Sequence, residues 1–88
     1  MENKYMTPKI VQAEYAGEYR IKLKFEDGAE GIVDLNSELY GEVFEPLKSI
    51  DYFKTFRIQG SSLSWDNGAD FAPEFLYDCV KSAEMVKG

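Results

Sequence analysis

Residues 19–35 read YRIKLKFEDGAEGIVDL, and the way this stretch folds back on itself decides the architecture. Tyr19, Ile21, Leu23 and Phe25 alternate with Arg20, Lys22 and Lys24, the period of two that marks a strand with one buried face. Asp27-Gly28 then signals a hairpin. A two-residue loop would set Ile21, Leu23 and Phe25 on the same face as Glu30, Ile32 and Asp34, forcing two carboxylates into the core. Burying unpaired charge is costly. A three-residue loop, Glu26-Asp27-Gly28, moves the pairing by one. Phe25, Leu23, Ile21 and Tyr19 then face Ala29, Gly31, Val33 and Leu35, while Lys24 meets Glu30 and Arg20 meets Asp34 outside. Such cross-strand pairs contribute about 0.2–1 kcal/mol each. The second register satisfies both faces and requires Gly28 in a left-handed conformation, which costs glycine little.

Outward from this hairpin, Ile10 to Tyr15 forms a short apolar run, the N-terminal strand. Residues 1–7 read as a loose arm. Residues 36–55 lose the period of two and suggest three short helical turns: Asn36 to Tyr40, Val43 to Lys48 with Pro46 in its first turn, and Asp51 to Phe56. Gly60-Ser61 lies between Phe56–Gln59 and Ser62–Trp65, a two-residue hairpin with glycine first. It pairs Ile58 with Leu63 and Phe56 with Trp65 on one face, and leaves Arg57 and Ser64 on the other. After the turn Asp66–Asp70, Leu76, Cys79, Val80, Ala83 and Val86 recur at helical steps. Pro73 belongs in the first turn of that helix and Asp70 is the candidate N-cap.

These elements make one α+β domain spanning 1–88: a small antiparallel sheet of two hairpins plus an N-terminal strand, short helical turns in the middle, and a C-terminal amphipathic helix packed on the sheet. The expected core is Ile21, Leu23, Phe25, Val33, Leu35, Ile58, Leu63, Leu76 and Val80, with Cys79 buried and unreactive.

The 88 residues carry ten Lys and Arg against sixteen Asp and Glu, a net charge of −6. That balance disfavours duplex nucleic acid and anionic membrane surfaces as ligands. One cysteine and no histidine exclude an internal disulfide and a Cys/His metal cage, which suits a reducing compartment. No apolar signal-peptide core and no run of about 20 apolar residues is present, so a cytoplasmic location is expected.

The catalytic vocabulary is thin. Cys79 lies inside a helix with no histidine to activate it, and reads as a small apolar residue. Asp66, Asn67, Asp70 and Glu74 are closely spaced oxygen donors, but the spacing of a calcium loop is missing, so they read as a turn plus a cap. No metal and no cofactor is implied. Charge is concentrated elsewhere. Glu26, Asp27, Glu30, Asp34, Glu38, Glu42 and Glu45 fall between Phe25 and Leu47 with no Lys or Arg among them. That block carries −7 and the remainder ten minus nine, or +1. A solvated surface explains part of it. A docking face for a basic protein is the functional reading.

Taken in order, Phe25, Asp27, Gly28, Val33-Asp34-Leu35, Phe44, Leu47, Phe53, Trp65, Asn67-Gly68, Asp70, Pro73-Glu74, Leu76 and Tyr77 form a pattern. By it the chain resembles the bacterial family known as domain of unknown function 2442, over about Ile10 to Tyr77. Trp-x-Asn-Gly-x-Asp leading into Pro-Glu-x-Leu-Tyr is its most specific part, and the family often has Pro where Asp66 stands here. The resemblance implies a small α+β domain without a known activity and brings no catalytic residues. Some members look like partners of a second small protein in a toxin–antitoxin-like arrangement.

The expected function is a non-enzymatic protein-interaction module, an antitoxin-like or regulatory subunit that binds a small basic partner protein through Glu38, Glu42 and Glu45. The alternative is a small-ligand-binding or sensor domain with a pocket formed by Trp65, Asn67, Asp70 and Tyr77.

Overall fold

A computed structural model of the chain describes residues 7–87, with side chains through Ser82. The expected loose arm, apart from Thr7, and the helix positions Ala83 and Val86 on the apolar stripe fall outside what is described. The sheet register of the first hairpin follows the charge argument. Strands β1 (Ile10–Tyr15), β2 (Arg20–Phe25) and β3 (Glu30–Asp34) form one antiparallel sheet in the order β1-β2-β3. Leu23 pairs with Gly31, Ile21 with Val33, Lys24 with Glu30 and Arg20 with Asp34. The Phe25 N–H donates to the Ala29 carbonyl at 2.8 Å across the three-residue loop, and Gly28 has φ +92°. A bulge at Val11 lets β1 follow β2 from Ile10 opposite Phe25 to Tyr15 opposite Ile21.

The second hairpin forms as expected across Gly60-Ser61, with Ile58 opposite Leu63 and Arg57 opposite Ser64. It belongs to a separate three-stranded antiparallel sheet. That sheet comprises β4 (Arg57–Gln59), β5 (Ser62–Ser64) and a short β6 (Asp70–Phe71) in that order. The expected cap at Asp70 is therefore replaced. Asp70 pairs with Ser64 in β6, and α2 (Pro73–Lys87) begins on Pro73, whose fixed φ and missing N–H suit the first helical position.

Between the sheets, the chain makes a 3-10 turn at Asn36–Glu38, a 3-10 helix at Glu42–Lys48 and a short helix α1 (Ile50–Phe53). Pro46 removes one N–H from the Glu42–Lys48 segment and lies in its interior rather than its first turn.

Of the expected core, Ile21, Leu23, Phe25, Val33, Leu35, Leu63, Leu76 and Val80 are buried. Ile58 is not: it is 36% exposed. It sits on a three-residue edge strand exposed on both faces, while the centre of that sheet is β5, where Leu63 and the supposedly outward Ser64 are both buried. Cys79 is half-buried rather than enclosed, because it flanks the stripe of α2 whose centre is Leu76 and Val80. Burial pushes its thiol above the ordinary range, with the Glu38 and Asp78 carboxylates acting in the same direction.

Two contacts join the layers. Helix α2 packs on β3 so that a Cβ on Gly31 would stand 3.4 Å from Val80 Cγ1, within van der Waals contact. A chain of rings joins the sheets. Tyr19 meets Phe53 at 5.4 Å between centroids, Phe53 meets Trp65 at 5.8 Å, Trp65 meets Phe71 at 5.9 Å, and Phe71 meets Phe44 at 5.1 Å. Rings this large carry much of the apolar area in a domain of this size.

Candidate partner-binding surface

Of the four residues singled out as a pocket, only Trp65 and Asp70 border a common groove. Trp65 is buried, and its indole N–H donates to the Phe53 carbonyl at 2.9 Å. The Asn67 amide donates to the Val43 carbonyl at 2.8 Å, while its Oδ1 accepts the Ala69 N–H at 3.1 Å. The Asp66 carboxylate takes the Arg57 guanidinium. Tyr77 lies on the first hairpin. Its ring stands edge-on to Phe25 at 5.0 Å, and its hydroxyl donates to Asp27 Oδ2 at 2.5 Å. The Trp-x-Asn-Gly turn thus acts as a buckle between the second sheet and the segment around Val43. Asp70 and Trp65 do border an open groove of about 280 Å³, together with Gln59, Ser62 and Ser64. Asn67 and Tyr77 take no part in it.

The Tyr77–Asp27 contact fastens α2 to the hairpin loop. The Tyr77 hydroxyl, and next the Ala29 N–H, hold the Asp27 carboxyl below its usual range, and Lys81 adds to this. A lowered folded-state pKa means the contact stabilises at pH above the unfolded value and is lost as pH falls through the folded one. Tyr77→Phe should therefore lower Tm at neutral pH, and the gap to the parent should close as pH falls below the ordinary carboxylate range. Thermal melts at neutral and acidic pH check this. A gap that persists undiminished in acid would place the effect in packing instead.

The acidic block separates into engaged and free carboxylates. Glu26 accepts the Lys9 N–H, Asp27 is engaged as described, and Asp34 accepts the Asn36 N–H. The three candidate glutamates differ. Glu38 is half-buried with Ser37 at 3.5 Å, and its charge reaches Cys79. Glu45 pairs with Lys48 at 3.0 Å. Both members of that pair are well exposed, and such contacts contribute about 0–1 kcal/mol. Glu42 is exposed and has no partner among the described residues.

The same segment carries a feature the sequence reading missed. Tyr40 is 69% exposed and Val43 40% exposed, and they alternate with the glutamates along Glu38–Glu45. The segment is well anchored: Leu39 and Leu47 are buried, Phe44 packs on Phe71, and Asn67 holds the Val43 carbonyl. An exposed aromatic side chain on an anchored segment, flanked in sequence by glutamates, has the make-up of an interface centre with a charged rim.

Among the described residues, no helix is long and apolar enough to cross a membrane, and no three metal-ligating side chains converge. Searches among curated proteins and among solved structures return no match. A family model described as protein of unknown function (DUF2442) does match, over residues 10–82. That span runs from the first residue of β1 into α2, through both hairpins and the Trp65–Asp70 turn, and the chain belongs to the DUF2442 family.

Proposed function

We propose that this chain is a non-enzymatic, cytoplasmic interaction module, an antitoxin-like or regulatory subunit that binds a small basic partner protein through Glu38–Glu45. The observation that carries the reading is the exposure of Tyr40 and Val43 amid Glu38, Glu42 and Glu45. A Lys or Arg of the partner would lie over the Tyr40 face, where the ring quadrupole attracts cations. The glutamates would steer its approach and supply the rim. The net charge of −6 and the −7 carried between Phe25 and Leu47 favour the same partner.

The alternative, a small-ligand sensor, rests on the open groove beside Trp65 and Asp70. Its lining offers hydroxyls and an amide but little enclosure, and enclosure is what small-molecule sites normally provide. The two readings separate experimentally. Immobilised chain is used to capture protein from its own cell extract at low salt, beside Tyr40→Ala and Ser64→Ala columns. The proposal expects one basic protein in a stoichiometric complex, lost on the Tyr40→Ala column and kept on the other. Equal capture on all three columns, or none on any, contradicts it.

A further inference from the structure

The antiparallel register fixes which backbone groups of β3 are in use. The Phe25 N–H donates to the Ala29 carbonyl, and the Leu35 N–H donates to the Tyr19 carbonyl. By the alternation of an antiparallel ladder, Ala29, Gly31, Val33 and Leu35 point their amides and carbonyls at β2. The N–H and C=O groups of Glu30, Ile32 and Asp34 therefore point away from the sheet, along the outer edge of β3. No backbone or side-chain partner meets them among the described residues. All three residues are exposed, and Ile32 is 52% exposed.

The β1 and β4 edges are blunted in ways that the β3 edge is not. At β1 the ladder is broken by the bulge at Val11, and Tyr15 lies against Phe53. At β4 the strand is only three residues long. The β3 strand has five residues, with no proline, lysine or bulge.

Its charge chooses the occupant. Outward along β3 stand Glu30, Ile32 and Asp34. A second copy of β3 added antiparallel about Ile32 would set Glu30 against Asp34 and Asp34 against Glu30. Like charges directly opposite destabilise a strand pair. A strand with cations on either side of an apolar residue, at alternate positions, would meet all three side chains favourably. The strand already on the inner side sets cations against both carboxylates: Lys24 stands opposite Glu30 and Arg20 opposite Asp34, with Lys22 opposite Ile32.

We propose that the β3 edge accepts an extended basic segment of a partner protein as a fourth, antiparallel strand. This rests on the reading of the chain as a binder of basic protein, and assigns a second contact distinct from Tyr40. Main-chain bonds to Glu30, Ile32 and Asp34 hold the segment, and the two carboxylates select its flanking cations.

The probe is a blocked peptide with a central Ile, Arg at alternate positions on either side and Thr between, titrated into isotope-labelled protein and followed by amide shifts. The largest shifts should fall on Glu30, Ile32 and Asp34. Ile32→Pro removes an outward N–H without touching the β2 ladder, a position where an edge strand tolerates proline. It should weaken binding by about tenfold or more. The same peptide N-methylated on its central Ile, tested on the unaltered protein, should lose binding equally, so the test stands even if Ile32→Pro does not fold. Tyr40→Ala should leave peptide affinity unchanged. The edge proposal is overturned if the methylated and unmethylated peptides bind alike, if neither binds, or if the shifts gather at Tyr40. Equal partner capture by the parent and Tyr40→Ala columns, alongside intact peptide binding at β3, would instead count against the wider reading.

Discussion

Phe53→Ala is expected to remove a large share of the chain's stability. The Phe53 ring is fully buried and meets Tyr15, Tyr19 and Trp65, while its carbonyl accepts the Trp65 indole N–H. Removing such a ring costs about 3–5 kcal/mol through lost burial and the cavity left behind. Small domains have only about 5–15 kcal/mol of stability in total. A variant that still folds should melt at least about 12 °C lower. Ile58→Ala is the informative control. Hydrophobic pattern alone ranks Ile58 with the core, whereas its edge position predicts a loss under about 1 kcal/mol. Denaturant titration of the two variants decides between pattern and structure. Equal losses would mean that the ring chain does not hold the two sheets together.

What the sequence could and could not convey follows the range of the interactions. The register of the first hairpin was legible because a shift by one residue moves Glu30 and Asp34 into the core, a large energetic difference encoded within a few residues. The second hairpin was legible from Gly60-Ser61. The bonds made by Asn67 and Tyr77 were not, since their partners Val43 and Asp27 lie 24 and 50 residues away. A polar residue in a turn carries no mark of a distant carbonyl. Strand β6 was missed because two residues give no periodicity, and its pairing displaced the expected cap at Asp70. The candidate surface was half legible. Charge is local and countable, so the acidic block stood out. Which of thirteen aromatic residues would stay outside the core depended on tertiary packing, and Tyr40 could not be separated from its neighbours.

Tyr40→Ala should be nearly silent in stability, within about 0.5 kcal/mol, because its side chain is mostly in water already. In partner binding it should be the most damaging surface change. Anchoring aromatic residues at interface centres typically account for about 2 kcal/mol or more, which is roughly a thirtyfold loss of affinity. The loss should appear mainly as faster dissociation, since removing a central contact shortens residence while leaving long-range steering in place. Surface-bound kinetics with purified partner check both numbers. A Tyr40→Ala variant with parental affinity would remove the centre from the proposed interface.

The most direct test of the central claim measures association rate against ionic strength for the parent and for Glu38→Gln, Glu42→Gln and Glu45→Gln combined. Glu42 has no partner among the described residues, Glu45 meets Lys48 in an exposed contact, and Glu38 is half-buried. The fold should therefore survive, as matching thermal melts would establish. If this face steers a basic protein, the combined variant should associate more slowly at low salt, and its rate should vary less with salt than the parent's. The two curves should then converge as screening removes the difference. Identical association rates and identical salt slopes for parent and variant would contradict the account, and leave the acidic block as a solvated surface.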